Sequence, residues 1–503
     1  MSVRPRHRRW LPAAAFSAVL ALLVSGCSAP TEQRAEPEPV AQGLQSYYEQ
    51  QLQWEKCGSV IECATLKVPL DYENPQDGSI DLALNRRVAQ GSEKNLLVNP
   101  GGPGGSGLDL VKSSVPLMFS KELQREYNVI GFDPRGVGKS TPVTCLDDAE
   151  QDELRQQNQR SWVPAEREEI RAESKKYADS CLEKTGELLG HVDTASAAKD
   201  MDIIREALGD EQLDYLGFSY GTFLGATYAD LFPWHAGRMV LDGAMDPKST
   251  SSQVDLAQAV GFEKEIEAWL EDCVESGDCP FTGTAEDAYK QLQDFFKKLE
   301  AKPMVASDGR KVPVIDFING FIIPLYESTS WPMLSSAMAD ALEGDVDQIQ
   351  YFADLSAGRD EEGNYTGNTT EAFGAVTCLD YPMDAAEARM EAEASELQRQ
   401  APIMGKYLSY GALGCEDWPF EPIRVPGELH ADGAGDILVI GTTGDPATPY
   451  HWSESLAKQL QGGVLLTYEG HGHTAYGRSN DCVTQAVDGY LIDGQVPEDG
   501  TKC

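Results

Sequence analysis

The stretch Leu213–Thr222, LDYLGFSYGT, most constrains what this chain can fold into. A short apolar run enters Gly217-Phe218-Ser219-Tyr220-Gly221, a G-x-S-x-G, and leaves through the helix-patterned TFLGATYADLF. A serine on a strand-to-helix turn is held in a strained backbone conformation. Its flanking glycines are needed because a side chain there collides with the neighbouring strand or helix. The turn lifts the Ser219 hydroxyl clear of the sheet and points the helix N-terminus at it, so the Tyr220 N–H and the helix dipole favour a developing oxyanion. A bare G-x-S-x-G arises by chance, whereas one set between strand and helix in an exported chain marks a candidate nucleophile.

Export is expected from the first 26 residues. Arg4, Arg6, Arg8 and Arg9 precede an apolar run, Trp10–Val24, that is too short and wrongly flanked for a membrane span. The run ends in Val24-Ser25-Gly26-Cys27, which resembles a bacterial lipobox with Cys27 as the acylated mature N-terminus. An ordinary small-residue cleavage site is the alternative. The Pro/Glu-rich stretch that follows has little to bury, so residues 27–42 are expected to be a disordered tether and the folded body to begin at 43.

Beyond Cys27 ten cysteines remain, an even number that in an exported chain points to disulfides. Sequential pairing is the simplest: Cys57–Cys63, Cys145–Cys181, Cys273–Cys279, Cys378–Cys415 and Cys482–Cys503. The 503 residues carry 81 acidic and 41 basic side chains, a net charge of -40 spread along the chain. Such a surface repels nucleic acid and anionic lipid; the spread of charge along the chain favours a solubilising role, with a field that draws in cationic substrates such as peptides with a free amino terminus as the weaker reading.

In chain order, alternating runs at Leu66–Leu70 and Ile80–Val88 flank the hairpin signal Asn74-Pro-Gln-Asp-Gly78. Asn95–Val98 is a buried-strand candidate opening into Asn99-Pro-Gly-Gly-Pro-Gly-Gly-Ser-Gly107. Gly102, Gly104 and Gly107 fit a G-x-G-x-x-G, but Pro103 at the helix entry argues against a dinucleotide site. The better reading is a loop whose bare N–H groups face a reacting oxygen. Tyr127–Phe132 runs into Asp133-Pro-Arg-Gly-Val-Gly-Lys-Ser140. Asp133 stands where a phosphate loop needs its first glycine, so the expectation is a tight turn tied by Asp133 and Arg135. Arg238–Leu241 is a further strand. Strand signals then nearly vanish until Asp436–Ile440, while helical periodicity dominates. This gives core residues 43–247 and 427–503 around a helical cap at 248–426.

A serine nucleophile needs a base in reach and an acid to orient that base. After Asp436–Ile440, Gly441-Thr-Thr-Gly-Asp445 supplies the acid. After Gly463–Tyr468, Glu469-Gly-His471-Gly-His473 supplies the base, with His471 as competitor and an H-x-H metal site as the weaker alternative, for want of a third ligand. The order Ser219, Asp445, His473 is that of α/β-hydrolases. No cofactor is required.

With these motifs in place, residues from about Trp54 to Cys503 resemble the tripeptidyl aminopeptidase-like branch of the α/β-hydrolases, relatives of proline iminopeptidases. The resemblance is carried by Trp54…Cys57…Cys63 with Val68-Pro-Leu-Asp-Tyr72, Asn99-Pro-Gly-Gly-Pro-Gly, Asp133-Pro-Arg-Gly-Val-Gly-Lys-Ser and Gly217-Phe-Ser-Tyr-Gly-Thr222. It continues in Asp242-Gly243, Cys378-Leu-Asp380 with Cys415-Glu-Asp-Trp418-Pro419, Gly444-Asp445-Pro-Ala-Thr-Pro449 and Gly472-His473-Thr474. It implies a mostly parallel sheet flanked by helices, Ser219 as nucleophile, His473 rather than His471 as base, Asp445 as orienting acid, and an oxyanion hole from the Gly102 and Tyr220 N–H groups. Pro100 stands where relatives with the proline iminopeptidase signature have His, which weakens any transfer of proline specificity.

The expected function is release of short peptides from free N-termini by an exported serine hydrolase. The expected place is the outer face of the cytoplasmic membrane, held there only by the lipid on Cys27, with partial release possible and a monomer favoured. Asp242, Asp246, Asp380 and Glu416 are the candidate acids for the substrate ammonium. A carboxylesterase using the same triad is the alternative, and a non-catalytic envelope binding protein the third reading.

Overall fold

The computed structural model describes residues 41–89, 91–277 and 279–503. The expected signal peptide, Cys27 and nearly all of the tether lie outside the described residues. Twelve strands follow in chain order: β1 (Glu55–Lys56), β2 (Ile61–Pro69), β3 (Ser79–Arg87), β4 (Asn95–Asn99), β5 (Asn128–Phe132), β6 (Leu213–Phe218), β7 (Ala236–Asp242), β8 (Met304–Val305), β9 (Lys311–Val312), β10 (Ile437–Gly444), β11 (Gly463–His471) and β12 (Thr501–Lys502). Ten of them form one sheet in the order β1-β2-β3-β5-β4-β6-β7-β10-β11-β12. Pairing is antiparallel from β1 to β5 and parallel from β5 to β12. This is the α/β-hydrolase architecture.

The central strands are apolar end to end because both faces are covered. Leu97, Ile130, Tyr215, Met239 and Val439 point to one core, shared with helices Thr194–Leu208 and Tyr220–Leu231. Their neighbours Leu96, Val129, Leu216, Val240 and Ile440 point to the other, shared with helix Asp481–Asp493. The crossover after β4 runs to β5 on one side and that after β6 to β7 on the other. The order of the sheet therefore reverses between β4 and β6, whose ends pair Asn99 with Gly217. A crevice opens outside the carboxyl ends of strands at such a point.

Between β7 and β10 the chain forms helices with a core of their own around Trp269, Phe296, Phe317 and Phe321. The hairpin β8–β9 is its only strand pair among the described residues. The insertion belongs to the same compact unit as the sheet. Helix Asp148–Arg155, which lies between β5 and β6 in the chain, is tied to it by Arg155 with Asp316 at 2.9 Å and by Arg359 with Asp152 at 2.8 Å. Disulfides join Cys57 to Cys63, Cys145 to Cys181, Cys273 to Cys279, Cys378 to Cys415 and Cys482 to Cys503.

Two strands run further than the sequence suggests. β10 continues past Ile440 to Gly444, and β11 past Tyr468 to His471. β7 stops pairing at Asp242, so the extension is a two-strand ribbon with a bulge between Thr442 and Gly444. Asp445 thus follows directly on a strand end.

The Asp133-Pro-Arg turn is braced as its charges suggest, but by different partners. Asp133 accepts from Ser106 Oγ at 2.6 Å, Lys139 N at 2.9 Å and Leu108 N at 3.2 Å. Arg135 is fully buried and uses all five donors, two on Asp200 at 2.7 Å and three on the carbonyls of Pro69, Leu70 and His191. Removing one charge of such a pair strands the other in a dry site. Asp200→Asn is expected to lower unfolding stability by about 3–5 kcal/mol, read from the urea midpoint. An unchanged midpoint would contradict the assigned role.

Candidate active site

Ser219 sits between β6 and helix Tyr220–Leu231 with φ 56° and ψ −124°, in a region that costs a non-glycine residue about 1–3 kcal/mol. The turn is over-determined. Ser219 N donates to Asp242 O at 2.9 Å, Thr222 Oγ1 donates to Ser219 O at 2.6 Å, and the same hydroxyl accepts from Met245 N at 2.9 Å. A Cβ on Gly217 would come within 2.4 Å of Gly221 O, so any side chain there would force the helix off the strand. Gly101, at φ +93°, passes equally close: a Cβ there would lie 2.5 Å from Phe218 O and 3.2 Å from Tyr220 N. The glycine loop after β4 and the elbow after β6 are thus pressed together at the point where the sheet order reverses. The Tyr220 N–H heads its helix, where intrahelical acceptors are missing. The Gly102 N–H has no hydrogen bond among the described residues.

Asp445 and His473 are both buried. The Asp445 carboxylate faces His473 Nδ1 at 2.9 and 3.0 Å. A carboxylate only accepts, so Nδ1 carries the proton and Nε2 is left as the acceptor of the ring. Ala447 N, Thr448 N, Thr448 Oγ1 and Thr474 N also donate to Asp445, at 2.8 to 3.2 Å, and hold it oriented. His473 is fixed from the insertion side, where its N–H donates to Tyr326 O at 2.8 Å and its ring meets the Tyr326 ring at 5.3 Å. His471 is committed elsewhere, with Nδ1 3.0 Å from Glu265.

Ser219 lies between two cavities. His473 and Arg478 line the one of about 290 Å³, and Ser219 opens onto it. Gly102, Tyr220 and Thr448 line the other, of about 480 Å³, again with Ser219 on its wall. The structure therefore brings together Ser219, Asp445, His473, Gly102 and Tyr220. It separates three of the four acids expected to meet a substrate. Asp242 is buried beneath the site with its oxygens on Ala475 N and Tyr476 N, at 2.7 to 3.0 Å, because the turn after His473 needs acceptors there. Asp246 accepts from Gln459 at 2.8 Å and lines a hollow away from Ser219. Glu416 pairs with Arg171 at 2.8 Å outside the 480 Å³ cavity. Asp380 lines that cavity, but its oxygens are held by Thr194 N at 3.1 Å and Thr194 Oγ1 at 2.5 Å. Asp255, from the first turns of helix Ser251–Ser276, lines it too. No motif marks Asp255 in the sequence. Thr448 could have been found, since it sits three residues beyond Asp445 in the same loop.

Burial pushes the Asp242 carboxyl up to about 6 against its two backbone donors. Burial, with the Asp193 charge adding, pushes Asp380 up to about 7. Both groups hold a proton in the folded chain to higher pH than in the unfolded chain, where aspartate titrates near 3.9. Below about pH 4 their contribution to stability is complete, and it is lost as pH rises through 6 to 7. Asp380→Asn should therefore lose less Tm between pH 5 and pH 8 than the parent; equal slopes in a thermal melt would count against this. Asp445→Asn should cut kcat about 10³–10⁴-fold with little change in Tm, because the ring would lose its orienting acceptor.

Residues 401–503 match the family described as TAP-like protein. Over its whole length the chain is 34% identical to serine protease Hip1 of Mycobacterium tuberculosis, covering 99% of that protein. It is 36% identical to carboxylesterase B of the same organism, over 90% of each chain. Identity with tripeptidyl aminopeptidase of Streptomyces lividans is 32%, over 90% of this chain and 86% of that one. Similarity at this level and coverage, on a fold and a site of this form, means that the chain belongs to the TAP-like family of α/β-hydrolases, the serine hydrolases.

Proposed function

We propose that the protein is an exported serine peptidase that releases short peptides from free N-termini, working at the outer face of the cytoplasmic membrane through a lipid on Cys27. The observation that carries the chemistry is the Asp445–His473 pair, whose His473 lines one cavity together with the strained Ser219. Ser219 attacks the scissile carbonyl while His473 Nε2 takes its proton, and the Tyr220 and Gly102 N–H groups receive the oxyanion. His473 then hands the proton to the leaving amine. Water, activated by the same ring, hydrolyses the acyl-enzyme. Asp445 stays ionised throughout and stabilises the imidazolium.

The relatives named serine protease and tripeptidyl aminopeptidase support a peptide substrate. Hydrolysis of short acyl esters is the second reading. It is favoured by the apolar wall of the 480 Å³ cavity, which includes Leu146, Val254, Phe373, Val376, Tyr381 and Trp418, and by the relative named carboxylesterase B.

A panel of free tripeptide amides, their N-acetyl forms and short acyl esters separates the two. Cleavage of the free amides, with the acetylated ones at least tenfold slower, is the expected result. Ester turnover without amide cleavage would replace the first reading by the second. Ser219→Ala should abolish labelling by a fluorophosphonate and lower kcat about 10⁶-fold on every substrate cleaved.

A further inference from the structure

The two cavities that meet at Ser219 are chemically unlike, and the position of His473 tells them apart. The base that returns its proton to the leaving amine must stand on the leaving-group side. His473 lines the 290 Å³ cavity and not the 480 Å³ one. The acyl part of a peptide, with its free amino terminus, therefore extends into the larger cavity, on the side of Gly102 and Tyr220.

Four carboxylates line that cavity: Glu173, Asp255, Glu371 and Asp380. Three of them are already engaged. Glu371 caps Cys145 N and Leu146 N at 2.9 and 2.8 Å, Asp380 holds Thr194, and Glu173 lies 3.7 Å from Lys176. Arg155, the cation of the lining, is bound to Asp316 and Asp354 at 2.9 and 2.8 Å. Asp255 alone among the four has neither hydrogen bond nor ion pair among the described residues. It stands where the cavity meets a smaller hollow lined by Arg389 and Glu393. Burial, and then the Glu393 charge, push its carboxyl up to about 7. Asp255 is half-buried, so its carboxylate lines the cavity with no protein group to offset its charge.

Resting on the peptidase reading above, we propose that Asp255 receives the substrate's free ammonium and thereby sets how much of the peptide's N-terminus reaches Ser219. An ammonium supplies both the missing charge and the missing donors. Beside the apolar wall of this cavity such a charge-assisted contact is strong and selective for unblocked chains. The helix that carries Asp255 is the next element after β7, and the link between them is tied to the elbow by Met245 N, which donates to Thr222 Oγ1 at 2.9 Å.

The test compares the parent chain with Asp255→Asn and Asp255→Glu on a free tripeptide p-nitroanilide and its N-acetyl form. Melting temperature and fluorophosphonate labelling first show that each variant is folded with a competent Ser219. The readout is the ratio of kcat/KM on the free substrate to that on the acetylated one, which a general loss of activity does not move. Asp255→Asn is expected to lower that ratio at least tenfold, mainly by raising KM on the free substrate, and Asp255→Glu to restore part of it. A ratio within twofold of the parent in folded Asp255→Asn overturns the assignment and leaves the peptidase reading standing. A parent that turns over esters but no amide overturns that reading, and the assignment with it.

Discussion

The structure depends on one strained residue being held still. Ser219 adopts a conformation that L side chains rarely accept, and nothing in its own chemistry favours it. What holds it is contact on every side: β7 through Asp242 O, the first turn of its helix through Thr222, the segment after β7 through Met245 N, and the glycine loop after β4. They come from β7 itself and from the connections that follow β4, β6 and β7. The nucleophile can be strained only because the sheet order reverses beside it and brings two loops to the same edge.

The base depends on a different part of the chain. Asp445 and His473 leave the ends of β10 and β11, which run past β7 as a two-strand ribbon, and His473 is then pinned to Tyr326 of the helical insertion. A Cβ on Gly472 would lie 2.8 Å from Tyr326 O, so the insertion presses on the loop that carries the base. The insertion thus does more than cover the cleft, since it also orients the imidazole. Ser219 is held mainly by the sheet and its loops, His473 by the sheet and insertion together.

The parts of this arrangement that were legible in the sequence are those in which a local constraint forces a residue type. The elbow needs glycine two positions to either side of Ser219, the loops of Asp445 and His473 follow strongly apolar strands, and an even set of cysteines suggested its own pairing. The acids facing the substrate were not legible. Asp242 ends a core strand and Asp246 follows it, as a functional acid would, yet Asp242 serves the turn after His473 and Asp246 holds Gln459. Asp255 sits in an ordinary amphipathic helix and differs from its neighbours only in what surrounds it. Whether a carboxylate is spoken for depends on partners as distant in sequence as Thr194 is from Asp380, and no local pattern encodes that.

The wall of the larger cavity shows why the cysteines and the site belong to one design. Its lining comes from separate stretches that include Leu146, Glu371, Cys378 and Cys415. Cys145–Cys181 fixes the stretch that begins at Leu146, and Glu371 binds the N–H groups of both Cys145 and Leu146. Cys378–Cys415 closes a 37-residue separation within the wall itself. These segments carry few strand hydrogen bonds to keep them in place, so covalent links and a buried carboxylate do the work that a sheet does for Ser219. A wall fixed before the substrate arrives spares binding the cost of ordering loops. That rigidity is what would allow a cavity of about 480 Å³ to measure out a short length of peptide.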